Sequence, residues 1–180
     1  MGKVLIHATI TLDGFMADAD GGIDWMFGFP SADEDDALVQ RVMDELGAVV
    51  GGANKTQTIE DGELPYGGML KSPVFELTHS PHDPVERDGV TYTFVVDDIA
   101  HAVDLAKAAA GDKAVALLGG SISRQCLKLG LVDEIVLDVV PLLLGNGISL
   151  FGGLGERVTL ERLSTAAFAS ETHLRYRVVK

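Results

Sequence analysis

The sequence predicts an α/β fold with a mixed, mainly parallel sheet and an antiparallel strand pair at its C-terminal end. Two observations indicate this class. Short apolar runs alternate with segments of helical periodicity, and the final segments, 158–168 and 172–179, alternate apolar and polar residues. The length of 180 residues, of which 47% are hydrophobic, suits one compact domain. We therefore expect a single domain over residues 1–180.

The first 50 residues predict a strand, a loop, a helix and a second strand. Residues 4–10 are nearly all apolar, which is typical of a central strand covered on both faces. Segment 12–25 holds three glycines and four aspartates, a composition that favours a loop. Ser31 and Glu34 have the spacing of a capping box, which predicts a helix start. We expect this helix to end near Gly47, before a buried strand at 48–50.

The remainder of the chain repeats this alternation. Only a short helix near residues 56–60 is predicted between 51 and 71. Further helices are predicted after Asp97 or Asp98 and after Gly119-Gly120-Ser121. Further strands are predicted at 74–77, 91–96, 114–118 and 135–140. Because ligands of open α/β sheets bind at the carboxyl ends of the strands, we expect the site among the loops that follow them.

Composition excludes several classes of partner. The chain has 27 acidic and 14 basic residues, and residues 1–63 alone hold 13 acidic and 3 basic ones, which makes nucleic acid a poor partner. No apolar stretch reaches the roughly 20 residues of a membrane span, and no signal peptide is recognisable, so we expect a cytoplasmic protein. Cys126 is the single cysteine, and the only closely spaced histidines lie in a proline-containing loop, so no metal site is predicted.

Small and polar residues follow three of the predicted strands. Gly119-Gly120-Ser121 joins a strand to a helix, where backbone N–H groups can hold a phosphate, although a tight turn requires glycine equally. Two other strand ends carry polar residues that could contact a phosphate or ribose, or form ordinary solvated turns. These residues are Asn54, Lys55 and Thr56, and Thr78 and Ser80.

One carboxylate at the predicted helix start is a candidate for contact with a nitrogen heterocycle. Asp35 precedes Leu38 and Val39 by three and four positions and therefore shares their face, and Asp36 is the second choice. The alternative is that these acids only stabilise the helix start. Trp25, the single tryptophan, could cover a flat ligand or pack on the core. His7, inside the first strand, is interpreted as a core histidine.

Five strings along the chain together resemble the dihydrofolate reductase-like superfamily, specifically the reductase domain of the riboflavin-biosynthesis deaminase-reductase. They are Thr11-Leu12-Asp13-Gly14-Phe15-Met16-Ala17, Gly21-Gly22-Ile23-Asp24-Trp25, Leu118-Gly119-Gly120-Ser121-Ile122, Gly130-Leu131-Val132-Asp133-Glu134 and Pro141-Leu142-Leu143-Leu144-Gly145-Asn146-Gly147. The resemblance implies a sheet of about eight strands with flanking helices, a homodimer, and NADPH-dependent hydride transfer to a pyrimidine- or pteridine-like substrate.

The resemblance also implies roles for individual residues. Ala8 and Thr9 would contact the nicotinamide carboxamide, and Trp25 with one of the acids at 33–36 would face the substrate. The loop over the nicotinamide ribose would contain Asp13, Gly14 and Ala17. The pyrophosphate would be held by Gly119, Gly120, Ser121 and Ile122.

The chain departs from the family pattern at two strand ends. The family string Gly-Arg-x-Thr is replaced by Gly52-Ala53-Asn54-Lys55-Thr56, in which Lys55 can supply a point charge without the arginine's bidentate geometry. Thr78-His79-Ser80 stands where the family often has Thr-His-Arg. Two other functions stay open: a dihydrofolate reductase proper, and a non-catalytic dimeric ligand-binding relative.

Overall fold

The protein is built around one twisted sheet that carries helices on both faces. The computed structural model describes residues 2–52, 64–96 and 98–180. Its strands are β1 Val4–Thr11, β2 Phe15–Ala17, β3 Leu46–Gly52, β4 Val74–Leu77, β5 Val85–Arg87, β6 Val90–Val95, β7 Ala114–Leu117, β8 Glu134–Val140, β9 Ile148–Ser149, β10 Leu160–Ala167 and β11 Thr172–Val178. Its helices are α1 Asp33–Glu45, α2 Ile99–Ala110 and α3 Gly120–Lys128, with short 3-10 helices at Asp24–Gly28 and Pro65–Gly68.

Within the described residues the main sheet has nine strands, in the order β10-β11-β8-β1-β7-β3-β4-β6-β5. The six strands from β8 to β6 are parallel, whereas β5 and the C-terminal pair β10 and β11 run antiparallel to their neighbours. A separate ribbon pairs β2 with β9. The predicted fold class is therefore confirmed, with one strand more than the expected eight in the main sheet.

Alternating side chains of β1 divide the core into two layers. Val4, Ile6 and Ile10 pack with apolar residues of α2 and α3 on one face of the sheet. Leu5 packs on the other face, with Val42 and Met43 of α1. His7 and Thr9 have the same parity as Leu5 and therefore lie on the α1 face.

Two local features differ from the prediction. The glycine-rich segment 12–25, expected to be a loop, contributes β2 and a 3-10 helix. The capping box predicted at Ser31 and Glu34 is wrong by one residue, because α1 has Ala32 as its N-cap. The Asp35 carboxylate accepts a hydrogen bond from the Ala32 N–H at 2.8 Å, while Ser31 donates its hydroxyl to Asp36.

In the part of the chain that the structure describes, no helix is both long and apolar enough to cross a membrane.

Candidate active site

The middle of the central strand is uncovered at the sheet surface. Ala8 and Thr9 are partly exposed, although the residues on either side of them in β1 are buried. Ala8 and Thr9 point to opposite faces of the sheet, and β8 flanks them on one side, whereas β7 pairs with β1 only along Val4–Ile6. The carboxyl ends of the inner strands are the usual position of a ligand site in an open α/β sheet.

The turn from β7 into α3 is open to a ligand. Gly119, the N-cap of α3, has φ of +89°, and a Cβ added there would meet no atom within 4 Å. The first turn of α3 offers backbone N–H groups that have no acceptor inside the helix. Ser121 is exposed, whereas the Ile122 side chain is buried, so Ile122 can contact a ligand there only through its backbone.

Gly120 has a packing reason to be glycine. A Cβ at this position would lie 2.9 Å from the Ser149 carbonyl oxygen, which already accepts a hydrogen bond from Arg124 Nη1 at 2.8 Å. The two glycines of this turn therefore serve different purposes. Gly119 leaves space above the turn, and Gly120 lets the segment after β9 pack closely against α3.

The loop after β1 is held in place by Asp13. Its carboxylate accepts hydrogen bonds from Thr11 Oγ1 at 2.6 Å and from the Gly145 N–H at 2.8 Å, which joins this loop to the loop after β8. The hydrogen bond from Thr11 is the main cause of a lowered pKa at Asp13. Gly14 has φ of +87° and open space around it, whereas the Ala17 side chain is buried in β2. Asp13 therefore orders this edge of the site.

The predicted contacts after β3 and β4 are described only in part. Asn54, Lys55 and Thr56 lie outside the described residues. Gly52 ends β3, where a Cβ would just touch the Ile122 side chain at 3.4 Å. Thr78 Oγ1 accepts a hydrogen bond from the Ser80 N–H at 3.2 Å, and Ser80 itself is exposed. The cofactor roles of all these residues stay predictions.

A chain of four buried polar side chains crosses the α1 face of the sheet. Asp35 of α1 accepts a hydrogen bond from His173 Nε2 at 2.7 Å. His173 Nδ1 lies 2.7 Å from Asp138 Oδ1, and His7 Nε2 lies 2.8 Å from Asp138 Oδ2. All four residues are at most 7% exposed. We call this set the buried relay.

The charges of the buried relay follow from its hydrogen bonds. Burial alone would raise the pKa of Asp138, but the hydrogen bonds from His173 and His7 outweigh burial and lower it to about 2. The hydrogen bond to Asp138 raises the pKa of His173 to about 9, against the effect of burial, and Asp35 adds to this increase. At neutral pH His173 is therefore an imidazolium between two carboxylates, with both ring nitrogens donating.

A further acid lies beside the buried relay. Burial raises the pKa of Glu171, and the negative charge of Asp138 raises it further. Ligand atoms of Asp138, Glu171 and His173 lie within 4.8 Å of one another, a spacing that a metal ion could use. Because both nitrogens of His173 already donate to carboxylates, the geometry is that of an ion pair, and the absence of a metal stays a prediction.

Sequence reasoning identified part of this site. Asp35 was selected from its helical spacing, and its side chain is buried at 1% exposure, whereas Asp36 is exposed and accepts from Ser31. Trp25 is half-buried in the 3-10 helix, and its Nε1 has no hydrogen-bond partner in the described ranges. Their catalytic roles stay predictions.

Of the other three members of the buried relay, only His7 is addressed by the sequence analysis. Its interpretation as a core histidine agrees with its burial, whereas the sequence analysis gives no prediction for Asp138 or His173. The available signal was a polar residue inside an otherwise apolar strand, which occurs at His7 in β1 and at Asp138 in β8. Such a residue must find a partner, and here the partners come from neighbouring strands.

A cavity of about 250 Å³ lies on the α1 face, between α1 and the C-terminal strands. Asp138 and His173 line one side of it, and Leu38 and Arg41 of α1 line another. The glycine turn at the start of α3 does not line it. The buried relay is thus reached from a space that is separate from the candidate phosphate-binding turn.

Comparison with known proteins agrees with this architecture. The family model described as the RibD C-terminal domain matches residues 71–174, more than half of the chain. Uncharacterized protein YyaP of Bacillus subtilis (strain 168) is 29% identical over 179 residues, covering 93% of this chain and 90% of YyaP.

Two solved structures share the fold. A protein from Shewanella sp. PV-4, provisionally named as a riboflavin biosynthesis protein, superposes with a TM-score of 0.82 at 23% identity and 100% coverage of both chains. The diaminohydroxyphosphoribosylaminopyrimidine deaminase/5-amino-6-(5-phosphoribosylamino)uracil reductase of Thermotoga maritima superposes with a TM-score of 0.66 at 16% identity, over 99% of this chain and 57% of that one. The resemblance found in the sequence is confirmed: this chain belongs to the family of the RibD C-terminal domain.

Proposed function

We propose that this protein is an NADPH-dependent reductase that transfers a hydride to a pyrimidine- or pteridine-like ring. The observation that carries the proposal is the open glycine turn of α3 beside the uncovered middle of β1. β1 and β7 are paired neighbours, so a dinucleotide bound at the turn can reach the centre of the sheet. Family membership and the reductase name of the Thermotoga maritima protein support this choice.

The residues at the turn fit a dinucleotide's pyrophosphate. No atom of the described residues lies within 4 Å of a Cβ added to Gly119, and the N–H groups of the first turn of α3 supply donors for a phosphate without a basic side chain. Arg124, the nearest basic residue of α3, is already bonded to the Ser149 and Leu150 carbonyls. Discrimination between NADPH and NADH therefore falls to the ends of β3 and β4, where Lys55 and Thr78 stand in the sequence.

The mechanism is one of positioning. A bound dihydronicotinamide supplies a hydride. Ala8 and Thr9, in the partly exposed part of β1, would hold the carboxamide of the nicotinamide through their backbone groups, because their side chains point to opposite faces of the sheet. The carboxylates of Asp35 and Asp138 keep the protons of His173 on both ring nitrogens. A side chain or water would supply the proton that completes the reduction of the acceptor ring.

A homodimer is part of the proposal. β10 is an edge strand whose residues are almost all exposed, and it carries Leu160 and Leu163, with Phe168 directly after it. An exposed edge strand presents unpaired N–H and C=O groups to which a further strand can pair. We propose that a second copy of the chain covers this edge, and sedimentation velocity would show a species of twice the chain's 19.1 kDa mass.

The cofactor site is tested by placing a charge at the turn. Ser121→Asp puts a carboxylate at the second position of α3, where it stabilises the helix but repels a phosphate. We expect NADPH binding to weaken by about tenfold or more, from like-charge repulsion of roughly 1.4 kcal/mol. Ser121→Ala is the matched neutral control and should bind nearly as the unmodified chain does. Equal affinities of the Asp and Ala variants would exclude this turn as the phosphate site.

A further inference from the structure

The geometry of His7 points to a direct contact with the substrate ring, an inference that rests on the proposed reductase function. His7 lies in the middle of β1 and is 6% exposed. Its Nε2 is bonded to Asp138 at 2.8 Å, but its Nδ1 is buried and has no hydrogen-bond partner among the described residues. Buried ring nitrogens are nearly always paired, so this one requires explanation.

The proton of His7 can be assigned from its neighbour. Asp138 accepts hydrogen bonds from two imidazole rings, and as a carboxylate it has no hydrogen to give. The His7 nitrogen that faces Asp138, Nε2, therefore carries a hydrogen. In the tautomer with this single ring hydrogen, Nδ1 is a bare acceptor, held in a fixed direction by the buried relay.

Among the described residues, Tyr66 supplies a second unpaired polar atom beside His7. The Tyr66 ring stacks on the His7 ring, with centroids 5.5 Å apart and an interplanar angle of 23°. Tyr66 Oη is likewise buried and lacks a hydrogen-bond partner within the described part of the chain. Thr9 follows His7 on the same face of β1, one step nearer the carboxyl edge, and is partly exposed. Two buried polar atoms without a hydrogen-bond partner in the described part of the chain, His7 Nδ1 and Tyr66 Oη, thus lie near the partly exposed Thr9.

Within the described ranges, the hydrogen bonds nearby leave Nδ1 as the unpaired acceptor of this cluster. Asp35 and Asp138 already accept hydrogen bonds at both of their oxygens, and the imidazolium of His173 is shared between them. We propose that His7 Nδ1 accepts a hydrogen bond from an N–H group of the substrate ring, and so selects amino-substituted nitrogen heterocycles. Rings of the same shape without N–H donors would leave Nδ1 unpaired and bind weakly.

The first test observes the His7 nitrogen directly. In protein labelled with ¹⁵N-histidine, the unprotonated Nδ1 resonates far downfield of protonated ring nitrogens. We expect 5,6-diaminouracil to move this resonance upfield, because Nδ1 then accepts a hydrogen bond. 1,3,5,6-Tetramethyluracil, a planar analogue in which methyl groups replace every N–H, should leave it unchanged. The proposal would be overturned if both probes shifted the Nδ1 resonance equally. It would also be overturned if 5,6-diaminouracil did not shift this resonance at all.

The second test separates recognition from a merely structural role. His7→Gln keeps an amide N–H that can reach Asp138 but has no atom at the Nδ1 position. We expect the preference for diaminouracil over tetramethyluracil, measured by calorimetry, to fall about tenfold. His101→Gln, on the far face of the sheet in α2, is the control and should keep the preference. An unchanged preference in a folded His7→Gln protein would refute the contact.

Neither test uses NADPH, so the two proposals can fail separately. Diaminouracil binding that depends on His7, in a protein that does not bind NADPH, would support the contact and refute the reductase. NADPH binding with no response of Nδ1 to diaminouracil would refute the contact and leave the reductase standing.

Discussion

The ion pair between His173 and its two carboxylates makes the stability of the protein depend on pH in a defined window. The pKa of His173 is about 9 in the folded chain and 6.5 in the ordinary state that represents the unfolded chain. Because a tenfold change in proton affinity is worth about 1.4 kcal/mol, this difference corresponds to about 3 kcal/mol. Only 7% of the side chain is exposed, so solvent screening reduces this value little.

The direction of this pH dependence follows from whether the folded or the unfolded chain binds the proton of His173 more tightly. A histidine whose pKa is raised by folding stabilises the folded chain fully below pH 6.5, and this stabilisation is lost as the pH rises through 9. Between pH 7 and 9.5 the expected loss in the free energy of unfolding is roughly 2 to 3 kcal/mol. The lowered pKa of Asp138 arises from the same ion pair, so no separate free energy is counted for it.

The measurement is urea unfolding at pH 7 and pH 9.5, with His173→Gln as the comparison. The Gln amide group can donate hydrogen bonds but cannot titrate, so the free energy of unfolding of the variant should fall less across this window. The variant is expected to be less stable at pH 7, because Asp35 and Asp138 lose the cation between them. The reasoning would be refuted if both proteins lost the same free energy between the two pH values.

Two further substitutions test the framework of the site. Glu134→Gln removes a buried carboxylate that bonds to Lys3 and Arg175, and we expect it to lower the stability measured by thermal unfolding by about 2 kcal/mol. Glu161→Gln, in an exposed ion pair, is the control and should lower the stability by less than about 0.5 kcal/mol. Gly147→Ala would place a Cβ 2.3 Å from a backbone carbonyl oxygen of β2. We expect this variant to lower the free energy of unfolding by about 2 kcal/mol and to speed amide exchange in β2 and β9. Gly28→Ala, with open space around it, is the control and should change neither quantity.

Several main strands could be predicted because their sequences are mostly apolar. The run at 4–10 became β1, and those at Val74–Leu77 and 114–118 became β4 and β7 with at most one residue of error. The short strands β2, β5 and β9 could not be predicted in this way. Phe15 pairs with Ser149, more than a hundred residues away, and such pairing leaves no local periodicity.

Only part of the candidate site could be predicted from the sequence. The glycine turn at 119–121 is visible in the sequence, because a strand, two glycines and a helix follow one another directly. The buried relay joins α1 to β11 across 138 positions and is formed only when the sheet assembles. Helical spacing could indicate that Asp35 points inward, but nothing local could indicate that His173 would meet it.

The N-terminus of α1 shows that a tertiary contact can determine which residue becomes the N-cap. Both Ser31 with Glu34 and Ala32 with Asp35 have the right spacing, and the sequence favours the first because serine is the better N-cap. The structure uses the second, since Asp35 reaches back to the Ala32 N–H and His173 fixes its other oxygen. A tertiary contact thus overrides the local preference.

The central claim is that this family member keeps a working dinucleotide site. It is tested most directly by titrating the purified protein separately with NADPH and NADH, following the quenching of Trp25 fluorescence and energy transfer to the reduced nicotinamide. We predict saturable binding of NADPH in the micromolar range, with distinctly weaker binding of NADH. Binding of neither dinucleotide would contradict the account and favour a ligand-binding relative without reductase activity.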